Sequence, residues 1–138
     1  MNTFFANWYE LSGQMEGFSD DMFENGLYMH AGIWMVLIPV VLLAVYYYVI
    51  NAASLNKWWH WLVLVVVIGV INFFIGYSTA YNGIWDIYEQ QNIDSTGYSV
   101  GIDSMSFGLI NAFWSMIVAF VWSMIIKWGS SACRRTPF

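Results

Sequence analysis

Three long stretches of this chain are apolar and uncharged, and that limits its fold more than any other feature. They cover residues 30–50, 58–77 and 107–126, and none contains Asp, Glu, Lys or Arg. A hydrocarbon core of roughly 30 Å needs about 20 helical residues to cross it. Inside lipid every backbone amide must find its partner within the segment, which a single helix achieves and a single strand does not. The expected fold is therefore an all-α integral membrane protein with three transmembrane helices. The composition agrees, since only 9% of residues are charged, whereas a soluble domain needs about 25% to solvate its surface. Aromatic residues reach 20%, as suits a chain with two membrane interfaces to line with Trp and Tyr.

Charge placement predicts the orientation. The basic residues are Lys57, in the short loop 51–57, and Lys127, Arg134 and Arg135, in the tail 127–138. The acids occupy the other two polar segments. Glu10, Glu16, Asp20, Asp21 and Glu24 lie in residues 1–29, and Asp86, Glu89, Asp94 and Asp103 lie in residues 78–106. Basic loops stay on the cytoplasmic side, so the expected topology is N-out and C-in in a plasma or inner membrane. The first ten residues have no basic run ahead of an apolar one, so no signal peptide is expected.

The polar segments carry patterns of their own. Phe4, Trp8, Leu11, Met15, Phe18 and Met22 recur at steps of four and three, an amphipathic helical stripe. Asp21 and Glu24 have the spacing of a capping box, which places the start of the first membrane helix near Met22. Pro39 falls mid-span and is expected to kink that helix. Tyr77, Tyr81, Trp85 and Tyr88 keep helical spacing past the second span, so that helix is expected to continue outward to about Gln91. Residues 92–106 read as an irregular loop, with Asp103 or Ser104 capping the third helix.

Small and polar residues form a stripe on each of the last two spans: Gly69, Asn72 and Gly76 on one, and Gly108, Asn111, Ser115, Ala119 and Ser123 on the other. Small residues let helices approach closely in lipid, and buried amides seek partners across the contact. Helix packing is the expected use. A polar pathway is the alternative, but pathways carry ionisable residues and these spans have none. Asn72 and Asn111 fall at similar depth, so the two helices are expected to pair there.

Candidate ligands are sparse. Asp20, Asp21, Glu24 and His30 could approach a divalent cation, though without a loop signature for one. His30 and His60 fall at opposite membrane boundaries and cannot share one haem. The single cysteine, Cys133, excludes an intramolecular disulfide. Lys57, Trp58, Trp59 and Trp61, with Lys127, Trp128, Arg134 and Arg135, read as anchors at the inner interface. Three tail charges are too few for nucleic acid. No nucleophile–base pair or phosphate loop is present, so catalysis by this chain alone is not expected.

The first functional reading is a non-catalytic accessory subunit of a larger membrane complex, of a bioenergetic, oxidoreductase or transport kind. Its partners would be other membrane subunits and structural lipid, with no cofactor held by this chain alone. The stripe Phe4, Trp8, Leu11, Met15 and Phe18 would be covered by a partner or by the extension at Tyr81 and Trp85. In layout (small size, three spans, N-out, basic tail) the chain resembles class I phage holins, which implies the alternative of a homo-oligomeric pore. A third reading has the outer acids and His30 complete an enzyme site shared with another subunit.

Overall fold

A computed structural model describes residues 2–11, 17–50, 58–91 and 99–126, and all of its regular structure is helical. Two short helices, α1 (Asn2–Glu10) and α2 (Phe18–Glu24), precede three long ones. These are α3 (Leu27–Ala44), which continues as a π-helical turn over Val45–Ile50, then α4 (Trp58–Gln91) and α5 (Val100–Ile126). The three long helices are long and apolar enough to cross a membrane.

The long helices run up, down and up. A side chain at Gly69 would meet Met116, one at Gly76 would meet Asn111, and Gly108 lies against Phe73, so α4 and α5 are antiparallel. Tyr28 packs on Phe107 near one end of α3 and α5, and Tyr48 reaches Ile126 at the other, so those two are parallel. Two apolar clusters fill the bundle. One joins α1, α2 and the starts of α3 and α5 to the end of α4, around Phe18, Met22, Tyr28, Met35, Ile84 and Phe107. The other lies at the opposite end, around Leu43, Tyr47, Ile68 and Ala119.

The π-helical turn accounts for the run of three tyrosines. Its wider turn lets adjacent Tyr46 and Tyr47 both bury in the second cluster, edge to face with each other. Tyr48 stays exposed, and its hydroxyl donates to the backbone carbonyl of Ile126 at 3.0 Å. That carbonyl belongs to the last described turn of α5.

Three expectations are corrected. The capping box at Asp21 and Glu24 does not start the first membrane helix. Those residues belong to α2, and Asn25–Gly26 separates α2 from α3, with Gly26 left-handed at φ 67° and no side-chain cap. The Asn25 amide donates to the Asp21 carbonyl at 2.9 Å and satisfies the end of α2 instead. The irregular loop does not reach residue 106, because α5 is already helical from Val100. Asp103 and Ser104 lie inside it, and Ser106 Oγ bonds back to the Ile102 carbonyl at 3.1 Å. That local bond accommodates serine inside a helix. The single N-terminal stripe is broken into α1 and α2. The extension of α4 to Gln91 is present as expected.

Gly76 is a point of contact that no larger residue can occupy. A Cβ built there would sit 2.8 Å from Asn111 Cβ. Overpacking of a dense contact costs about 1–3 kcal/mol. Gly76→Val is expected to lower the thermal midpoint in mild detergent, while a substitution at the exposed Val70 leaves it unchanged.

Candidate functional site

The spans carry few polar side chains, and the structure gathers the principal ones at one place. Asn111 of α5 is fully buried. Its Nδ2 donates to the backbone carbonyl of Asn72 on α4 at 2.6 Å, and its Oδ1 accepts from the Tyr9 hydroxyl of α1 at 2.7 Å. Asn72 is also fully buried and turns its own amide back to the Ile68 carbonyl at 3.1 Å. Its Oδ1 has no partner among the described residues. Asn72 and Asn111 therefore meet through side chain to backbone, not amide to amide. Gly76 permits this, because it stands one turn after Asn72, where a side chain would lean back over the Asn72 carbonyl.

Tyr9 completes the cluster, and sequence reasoning passed it over. Its ring packs on Phe107 at 4.7 Å and stacks on Tyr28 at 5.6 Å. Its hydroxyl also lies 3.6 Å from Met35 Sδ, but the closer amide oxygen is the better acceptor. Burial, and secondarily the neighbouring Tyr28, push the Tyr9 phenol well above its usual range. It remains a protonated donor at any physiological pH.

The buried face of α1 is Phe5, Ala6 and Tyr9, one residue out of step with the expected stripe. The Phe5 ring fills the space where a side chain at Gly32 would stand. Trp8 is half-buried with its ring 4.7 Å from Trp114. Phe4 is 60% and Leu11 73% exposed. Phe18 is buried in α2 against Phe107. Tyr81 is half-buried against the first cluster, which holds Phe18 and Met22, whereas Trp85 is 48% exposed. Met15 lies outside the described residues.

Helix α1 thus docks between α3 and α5, not on top of the bundle. Asn111 and Trp114, its contacts on α5, are about 16 and 21 Å along the axis from Val100. Both fall within the apolar stretch 107–126.

The remaining stripe residues pack. Ala119 is buried, and Ser115 and Ser123 are buried and bond to carbonyls three residues back at 2.8 and 2.9 Å. Gly69 faces Met116 across the α4–α5 contact. Among the described residues no three of His, Cys, Asp and Glu are grouped to hold an ion. Asp21 Oδ2 accepts from the Tyr88 hydroxyl at 3.1 Å, while Asp20, Glu24 and His30 are exposed. At the other end Trp58 and Trp59 are exposed and stacked, and Trp61 is half-buried edge to face with Phe120. Lys57, Lys127, Trp128, Cys133, Arg134 and Arg135 lie outside the described residues. No protein-family model, curated protein or solved structure matches this chain.

Two outcomes follow from the Tyr9 contact. A double-mutant cycle of Tyr9→Phe and Asn111→Ala, read by unfolding in detergent, is expected to give a coupling of about 0.6 kcal/mol, the usual size for bonds between membrane helices. Strictly additive effects would remove this bond as the tie on α1. The second concerns pH. Undocking frees the phenol to ionise near its ordinary value of 10.0, whereas docking holds it protonated. The stability of docking is therefore complete below that pH and falls as pH rises above it. In a Cys133→Ser background, labelling of Ala6→Cys relative to the exposed Asn7→Cys should accelerate above pH 10, and Tyr9→Phe should flatten the rise.

Proposed function

We propose that this chain is a non-catalytic accessory subunit of a larger membrane complex, inserted N-out and C-in. Its partners are other membrane subunits and lipid, not nucleic acid, and it holds no cofactor of its own. The observation that carries this reading is that one copy buries the asparagines and serines of its last two spans inside its own bundle. A pore built from several copies would need Asn72, Asn111, Ser115 and Ser123 turned toward a shared lumen. All four are buried within the single bundle. What the bundle turns outward is large and apolar: Trp34, Phe74, Leu109, Phe113 and Phe120 among others. That surface suits lipid and neighbouring helices and offers nothing to an ion.

The orientation rests on the charge bias of the loops, four basic residues against none. The up–down–up order of α3, α4 and α5 is compatible with it, since Tyr48, near the end of the first span, meets Ile126 at the end of the third. A reporter fused after Phe138 should behave as cytoplasmic. An impermeant thiol reagent should reach a cysteine at Asn92 only from outside, and labelling only from the cytoplasm would reverse the assignment.

The accessory role is tested on the assembled membrane. Purification in mild detergent followed by mass spectrometry should recover larger, unlike subunits. Phe4→Asp with Trp85→Asp alters two exposed rings that lie outside the buried clusters, so the chain should insert and fold but lose those partners. A pure homo-oligomer with a conductance that survives both substitutions would replace this reading with the channel.

A further inference from the structure

On α5, Leu109 stands 57% exposed between two apolar notches. On one side a notch of about 370 Å³ lies between α5 and the end of α1, lined by Leu11, Leu109, Ile110, Phe113 and Trp114. On the other a notch of about 250 Å³ lies in the seam of α4 and α5, where Gly69, Phe73, Ala112 and Met116 join Leu109 in a wholly apolar wall. Both share Leu109 and so open at one depth, about 14 Å along α5 from Val100. We infer that one diacyl lipid straddles Leu109, with one acyl chain in each notch.

The geometry selects this occupant over others. A partner helix lays a continuous ridge of side chains into a continuous groove, and here Leu109 divides the groove in two. A single chain would fill one notch and leave the other. Two flexible limbs joined above the ridge fill both. The join lies toward the end of the bundle where α4 carries a ladder of rings. Phe73, which walls one notch, is followed by Tyr77, Tyr81 and Trp85 at one-turn intervals, nearly parallel at 16°, 15° and 2°. Tyrosine hydroxyls and indole nitrogen at that level are donors of the kind that collect beside headgroups.

Charge selects the headgroup. In sequence, residues 1–29 and 78–106, which flank the helix ends on this side, carry acids such as Glu10, Asp86, Glu89 and Asp103 and no Lys or Arg. An anionic headgroup would meet repulsion there, whereas a headgroup carrying an ammonium finds carboxylates. The occupant is therefore a zwitterionic diacyl phospholipid. This conclusion rests on the chain lying in a membrane and not on its having a host complex, so it is tested on the isolated full-length protein.

The protein is stripped of lipid in detergent, and its thermal midpoint is followed on adding dioleoyl phosphatidylethanolamine, dioleoyl phosphatidylglycerol or single-chain lysophosphatidylethanolamine. The first should raise the midpoint more than either of the others. Ala112→Phe, which fills one notch with a ring, should abolish that advantage, and native mass spectrometry should find the two-chain lipid retained by the natural protein and lost from the variant. An equal response to the lysolipid would overturn the two-chain seat. An equal or greater response to the glycerol headgroup would overturn the charge argument, and no response to any lipid would remove the site. If the variant fails to fold, the comparison of the three lipids on the natural sequence decides alone.

Discussion

The close approach of α4 and α5 sets the position of everything else in the bundle. It is made possible by an absence, the missing side chain at Gly76, which brings Asn111 within reach of a carbonyl on the facing backbone. In water such a bond would trade evenly against hydration. In lipid there is no hydration to trade against, and an amide left alone costs far more than the bond returns. Asn111 is thereby fixed in rotation and depth, and it offers its oxygen to Tyr9. Helix α1 is too short to persist by itself, so its place is inherited from a contact between two other helices.

Much of this architecture is legible in the residues, and the part that is not fails for a physical reason. The three spans, the extension to Gln91 and the pairing of α4 with α5 follow from length, ring spacing and the small-residue stripes. The buried face of α1 does not. Phe4 and Phe5, and again Trp8 and Tyr9, put aromatic rings on adjacent faces. In a soluble protein the apolar face is the inner face. Beside a membrane span, one face meets protein and the other meets lipid, both are apolar, and periodicity cannot choose between them. The early start of α5 was hidden in a similar way. Gly101, Asp103, Ser104 and Ser106 resemble a loop when read against water, yet Ser106 satisfies itself on the Ile102 carbonyl and Ser104 is fully buried.

The candidate site shows the same division. The asparagines announce themselves, because an amide in an apolar run needs a reason. The tyrosine that completes them lies 102 residues from Asn111, on a segment whose rings appear to the eye as one more amphipathic stripe. Its signal was present in its hydroxyl, a polar tip on a large apolar body, which a buried position obliges to find an acceptor.

That separation has a consequence for the order in which the molecule is made. The seat of α1 has one wall from α3, at Gly32 and Met35, and one from α5, at Asn111 and Trp114. A ribosome adding 5–20 residues per second leaves α1 without its second wall for roughly 5–20 s after it emerges. The earliest of these helices to be synthesised is the last to find its place. During that interval Tyr9 has no Asn111 to bond, and its ring is left to lipid or to whatever escorts membrane proteins into the bilayer.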